Sequence, residues 1–190
     1  MVTLQISQRC AIFCIFFTIT DDLFLLMYKN LYFKHIFDKL TPTVEQRVEA
    51  WQTTTALFDY LLDANAAADV ELPLPTRWQW DIVDAFVSAA QDFAYLRAAD
   101  ALGEANVAAE CTVDNAAQYL QKLIDKSSIV GTLQNNEKQG FAQSDTYFAF
   151  GYFAIIGLLR LRCSLGDYDG AAQTASPIDV TQKGLYNAVT

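Results

Sequence analysis

At 190 residues and 53% hydrophobic side chains, the chain has enough apolar material for one sizeable core; it is long for one domain and short for two. A formal charge of −9 and a pI near 4.4 argue against a general phosphate-binding surface, because nucleic-acid affinity rests largely on Lys and Arg displacing counterions. Cys10, Cys14, Cys111 and Cys163 form no CxxC pair, which speaks against a disulfide framework or a zinc site and suits a reducing cytosol.

Met1 to Thr20 is an atypical apolar segment. Its run AIFCIFFTI is rich in β-branched and aromatic residues, and Arg9 is the one charge before Asp21 and Asp22. A signal peptide has an apolar run of about this length, roughly seven to fifteen residues. No small-x-small cleavage site follows, however, and Asp21 and Asp22 interrupt the roughly eighteen apolar residues that a membrane span needs. The segment therefore reads as a helix or strand buried against the rest of the fold, or as an N-terminus that differs from the native one. After it, strand-like alternation is rare, and the pattern is helical.

Leu23 to Leu40 places Leu25, Tyr28, Leu31, Tyr32, His35 and Ile36 at helical spacing, which predicts a buried aromatic face with Lys29, Lys34 and Lys39 in water. His35, the only histidine, lacks an identifiable activating partner and reads as partly buried and structural. Thr43 and Gln46 make a capping box. The helix it opens carries Val48, Trp51, Thr55, Phe58 and Leu62 on one stripe and ends near Asn65.

Ala66 to Pro75 is a proline-stiffened linker. Thr76 and Gln79 form a second capping box for a helix over Arg77 to Asp100, which buries Ile82, Val83, Phe86, Val87, Ala90, Phe93 and Ala94. Asp81, Asp84 and Asp92 lie outside that face, and no third ligand completes a metal site, so they read as solvated. Asp114 is the expected cap of a helix to about Ile124 with Ala117, Leu120 and Ile124 inward. The polar run from Leu123 to Asp145 reads as a long surface loop, and Lys122, Lys126 and Lys138 near it are the candidates for any RNA contact.

Ser144 or Asp145 caps the next helix, whose part from Tyr152 to Cys163 is apolar almost all round and so needs partners on more than one side. Gly166 ends it in the left-handed conformation, Asp167 caps the following helix, and Ala171 is small where the two pack. That helix, Asp169 to Ser176, stops at Pro177, and Gly184-Leu185-Tyr186 starts another that the chain does not finish. The fold class is all-α, with helical hairpins stacked as a solenoid. No phosphate loop, HExxH, GxSxG or oriented Cys–His pair is present, so the reading is of a non-enzyme with no catalytic, cofactor-binding or metal residues.

The collinear blocks DDLFLLMYKNLYFKHIF, LFDYLLDAN, VELPLPTRWQWDIVDAF, LIDKSSI, GYFAIIGLLRLRCSLGDYDGA and GLYNAV, covering Asp21 to Thr190, resemble the subunit L family of the eukaryotic translation initiation factor 3 complex. The resemblance implies a right-handed tetratricopeptide-like helical region over residues 21–190, from a subunit that also carries a PCI winged-helix module not contained in this chain. It further implies a non-catalytic scaffold role in cytoplasmic translation initiation. The implied partners are other PCI-type subunits, K and E especially, and the small ribosomal subunit, with RNA contact secondary and no membrane. A scaffold subunit of another PCI complex, the proteasome lid or signalosome, is the alternative. Met1 to Thr20 matches no part of that pattern, Leu102 to Val113 diverges, and Arg162 stands where the repeat usually has an aromatic.

Overall fold

The computed structural model describes residues 22–63, 75–99, 109–135, 137–138 and 140–178. The apolar segment Met1 to Thr20, the linker from Ala66 to Leu74, Cys10, Cys14 and the expected helix start at Gly184 lie outside the described residues. Within them the chain is all-helical: α1 (Asp22–Lys39), α2 (Val44–Leu62), α3 (Thr76–Ala98), α4 (Val113–Ser127), α5 (Ile129–Asn135), a 3-10 turn (Gly140–Gln143), α6 (Asp145–Ser164) and α7 (Tyr168–Ala175). No strand occurs among the described residues.

The core gathers around aromatic rings from four helices. Phe58 of α2 meets Phe86 of α3 edge-on at 5.1 Å, Phe150 of α6 at 6.2 Å and Tyr119 of α4 at 6.2 Å. Trp51 lies 4.4 Å from Phe86 and 6.1 Å from Phe93. Phe58 is fully buried, a placement that stabilises the fold by about 2–3 kcal/mol relative to an exposed ring. The phenol of Tyr147 at the start of α6 donates to the carbonyl of Leu61 at 3.0 Å, which satisfies its one polar atom inside this apolar surround.

α6 is the central helix, as its circumference of apolar residues predicts. It packs on α4, α3, α7, α5 and the 3-10 turn. The approach to α4 is close because α6 has glycine there: a Cβ at Gly151 would collide with the buried side chain of Ser127 and crowd Ile129 at 3.1 Å. Gly157 faces Val87 and Val83 of α3, where a Cβ would sit 3.1 and 3.3 Å from their methyls. At its end, Gly166 takes φ +78°, Gly166 N–H donates to Cys163 and Asp167 N–H donates to Arg162, the two bonds of a Schellman turn. Asp167 Oδ1 then accepts Gly170 N–H at 3.0 Å to cap α7, and Ala171 is buried against α6. Arg162 reaches across, donating to Gly170 O at 2.7 Å and Thr174 Oγ1 at 2.8 Å, so a guanidinium ties the two helices where an aromatic was expected.

Four expectations are corrected. On α1, the buried residues are Met27, Phe33 and Ile36, while Tyr28, Tyr32 and His35 face solvent. Ile36 is inside as expected, but the buried face as a whole is turned by roughly a third of the circumference from the sequence reading. The reason is chemical: both faces are apolar enough to bury, but Tyr, His and Lys each carry an atom that water can satisfy, and Met27, Phe33 and Ile36 do not. Asn30, which counts against burial in a sequence pattern, is accommodated on the inner side by Leu26 O at 2.9 Å and by the hydroxyl of Thr54 at 2.7 Å.

The second capping box does not form. α3 has Pro75 at its N-cap without a side-chain hydrogen bond, and Gln79 is buried. α4 is capped by Thr112, whose Oγ1 accepts Asn115 N–H at 3.1 Å, with Asp114 in the first turn instead. The polar run from Leu123 to Asp145 is mostly helical rather than a loop: α4 continues to Ser127, Ser128 takes φ 55°, and α5 and the 3-10 turn follow. Its buried hydroxyls escaped detection because they bond within their own helix turns, Ser127 Oγ to Ile124 O at 2.9 Å and Thr132 Oγ1 to Ser128 O at 3.2 Å.

The two glycines of α6 make a quantitative contrast. Alanine gains about 1 kcal/mol in a helix interior, whereas forcing extra volume into a packed contact costs about 1–3 kcal/mol. Urea unfolding is therefore expected to show Gly151→Ala destabilised by about 1–2 kcal/mol and Gly157→Ala within about 0.5 kcal/mol of the parent chain.

Candidate interaction surface

The three aspartates singled out from the sequence are each paired with a cation. Asp81, Asp84 and Asp92 stand along one side of α3, and each meets a cation from a different helix: Lys34 of α1 at 2.8 Å, Arg160 of α6 at 2.5 Å and Arg47 of α2 at 2.6 Å. They are interhelical staples. Arg160 also donates to Ser88 at 3.2 Å and Gln91 at 3.0 Å, a multidentate arrangement that only the planar guanidinium provides. Arg47 additionally lies over the Phe37 ring at 6.0 Å, joining the loop end of α1 to α3.

These pairs rim a groove of about 290 Å³ between α1, α2 and α3, lined by Lys34, Phe37, Arg47, Asp81, Ser88 and Asp92 among others. Of its walls, Lys34 pairs with Asp81 and Arg47 with Asp92, Asp84 is held by Arg160, and Asp38 is exposed at the edge. Chemistry on a bound molecule would need a charge or base left over for it.

The three lysines considered for RNA are likewise engaged. Lys126 donates to Asp63 O at 3.1 Å and sits 4.3 Å from the Phe141 ring. Lys138 pairs with Asp145 at 2.6 Å and lies 5.2 Å from the Phe148 ring, and Lys122 rests 5.4 Å from the Tyr119 ring.

Cys111 is buried and Cys163 exposed. Burial, partly offset by Arg97, pushes the Cys111 thiol up to about 11, so it stays protonated and unreactive near neutral pH. Burial and the hydrogen bond to Asp59 at 3.3 Å push the Tyr119 phenol up to about 12. His35 lies exposed on α1 rather than partly buried. No cluster of three or more His, Cys, Asp or Glu that could hold a metal occurs among the described residues. α6 is long and apolar enough to cross a membrane, yet 61% of its apolar window is buried by neighbouring helices.

What the surface does present is large aromatic side chains on regular helices: Tyr28 and Tyr32 on α1, Tyr60 on α2, Trp78 and Tyr95 on α3 and Tyr168 on α7. The α1 pair was named in the sequence as buried, so its residues were visible there and its direction was not. Together these features define a protein that is all-helical among the described residues and carries exposed aromatic side chains on its helices.

Residues 46–190 match the family described as RNA polymerase I-associated factor PAF67, and the chain belongs to that family. It is 34% identical over 184 residues to the eukaryotic translation initiation factor 3 subunit L of Nematostella vectensis, covering 89% of this chain and 35% of that protein. It is 34% identical over 186 residues to the subunits L of Xenopus laevis and Mus musculus, again over 89% of this chain and 33% of theirs. The resemblance drawn from the sequence blocks is thus borne out, and the chain spans about a third of the length of these curated relatives. They are named translation initiation factor subunits, and no enzymatic family is indicated.

Two measurements follow from this surface. Arg160→Met is expected to cost about 1 kcal/mol in urea unfolding, less at high salt, as for exposed pairs that form a network. For Cys111 the folded chain keeps a proton that the unfolded chain, with its thiol near 9.0, releases earlier. Its contribution is complete below pH 9 and lost as pH rises to about 11. The urea midpoint of Cys111→Ala is therefore expected to fall less than that of the parent chain between those two pH values.

Proposed function

We propose that this chain is part of a non-catalytic scaffold subunit of the eukaryotic translation initiation factor 3 complex, supporting initiation-complex assembly on the small ribosomal subunit through protein contacts. The observation that carries the reading is the match to subunit L of that complex across nearly nine-tenths of the chain. The geometry supports it in kind. Residues that sequence reading considered for chemistry serve as staples between helices, and the exposed aromatics are of the type enriched at protein interfaces.

In this reading residues 21–190 are a helical-repeat domain of tetratricopeptide type, with α6, its Schellman turn and α7 as one unit of a right-handed stack. The partners are the PCI-type subunits of the complex, K and E in particular, and the small ribosomal subunit, in the cytoplasm, with RNA contact secondary. Relatives named for this factor rather than for a proteasome lid or signalosome favour it over the other PCI assemblies.

The test is physical association. The tagged chain, expressed in eukaryotic cells, is expected to co-sediment with initiation factor 3 subunits and with the small ribosomal subunit in sucrose gradients. Migration only as free chain, or with subunits of the proteasome lid or signalosome, would overturn the reading.

A further inference from the structure

We propose that Thr41 is a phosphorylation site for a proline-directed serine/threonine protein kinase, with ATP as the phosphoryl donor. The site needs only the folded chain and is independent of the assembly reading above.

Proline comes first. A kinase cleft holds its substrate extended. Proline after the acceptor suits a cleft with no partner for the next backbone N–H, because proline has none and favours an extended residue before it. Of the four prolines, two follow a hydroxyl residue, at Thr41-Pro42 and Ser176-Pro177, while Pro73 and Pro75 follow leucine. The two candidates share their dipeptide chemistry and differ in their surroundings.

Thr41, Pro42 and Thr43 are the non-helical link between α1 and α2. Thr41 is exposed, as are Lys39 and Leu40 before it, and Thr43 after it is extended at ψ 168°. The Thr41 hydroxyl makes no hydrogen bond with another described residue, whereas Thr43 caps α2 and Thr53, Thr54 and Thr55 bond inside it. Ser176 is different. It keeps helical geometry at φ −54° and ψ −30°, and its hydroxyl donates to Gln173 O at 2.8 Å. Ile178 N–H then closes a turn over Pro177 by donating to Ala175 O at 2.9 Å, and the Ile178 side chain packs on the main core. Reaching Ser176 means unwinding the end of α7 and lifting Ile178 away.

The link between α1 and α2 yields more readily. The second half of α1 is held by a small cluster of Phe33, Ile36 and Ala50 with Phe37, separate from the main core, and by the pair of Lys34 with Asp81 at 2.8 Å. A helix end with so few buried contacts opens locally at far smaller cost than the whole fold. Leu40 to Thr43 can therefore enter a cleft while α2 and α3 stay packed.

The transfer balances between the two reactants. The kinase's base takes the Thr41 hydroxyl proton, Oγ1 bonds to the γ-phosphorus of ATP, the bridging bond to the β-phosphate breaks, and ADP leaves. The product carries a charge of about −1.5 to −2. It stands next to Pro42, which lines the groove with Lys34 and Arg47, so the phosphate competes for the cations that now hold α1 and α2 to Asp81 and Asp92 of α3.

For the test, the full chain and two peptides, residues 36–46 and 171–181, are incubated with a proline-directed kinase of the mitogen-activated class and ATP. Mass spectrometry locates the phosphate, trypsin releasing Leu40 to Arg47 as one fragment. Each site's rate in the folded chain is divided by that of its own peptide. The ratio for Thr41 is expected to exceed that for Ser176 at least tenfold, and Pro42→Ala to slow labelling of Thr41 at least tenfold. Equal ratios, label on Thr43 instead, no labelling of the 36–46 peptide, or a folded chain unlabelled at Thr41 overturns the site. The chain purified from eukaryotic cells kept in phosphatase inhibitor supplies the second measurement. The Leu40 to Arg47 fragment is expected to carry phosphate on Thr41, lost when proline-directed kinases are inhibited. Absence of that phosphopeptide, or its persistence under the inhibitor, overturns the proposal.

Discussion

Everything described here depends on Phe58 and Phe86 meeting edge to face where α2, α3, α4 and α6 converge. Ring geometry, not merely apolar area, fixes that meeting point, because the positive edge of one ring prefers the negative face of the next. Around it α6 is pulled inward until its backbone touches neighbours. Gly151 and Gly157 set how near α4 and α3 come. The staples at Asp81, Asp84 and Asp92 are partly open to water, which keeps the contribution of each small.

The same arrangement explains the outward chemistry. On α3's outer side Asp81, Asp84 and Asp92 each answer a cation from another helix, so none of the three is left over as an unpaired carboxylate. Lys126 and Lys138, paired with backbone oxygen, carboxylate and rings, show the same economy. Most of the large hydrophobic side chains left exposed are tyrosines, and such side chains lose little conformational entropy on binding. Exposed tyrosines on regular helices are in keeping with relatives named as subunits of a multisubunit factor.

α1 and α4–α5 carry the sequence-reading lessons. On α1 the inner and outer faces are nearly matched in hydrophobicity, so periodicity specified a helix and left its rotation open. Packing against α2 resolved it in favour of the side chains with no polar atom. Between Leu123 and Asp145 the glycines, asparagines and serines imitate a loop. The hydroxyls of Ser127 and Thr132 hide in their own helical turns, and besides Gly140 a left-handed residue is Ser128, which no turn signature flags.

By itself the sequence determined the all-helical class, the inner face of α3 apart from Ala94, the capping box at Thr43, the central position of α6 and the turn at Gly166 and Asp167, together with the family. These are local or strongly one-sided features: a cap needs partners three residues away, and a helix apolar all round has one sort of place to go. Only the tertiary structure decided which side of α1 faces water, which cation each aspartate of α3 meets, and that Arg162 ties α6 to α7. Those outcomes rest on contacts between groups distant in sequence or on competition between nearly equal faces, and one-dimensional spacing carries no term for either.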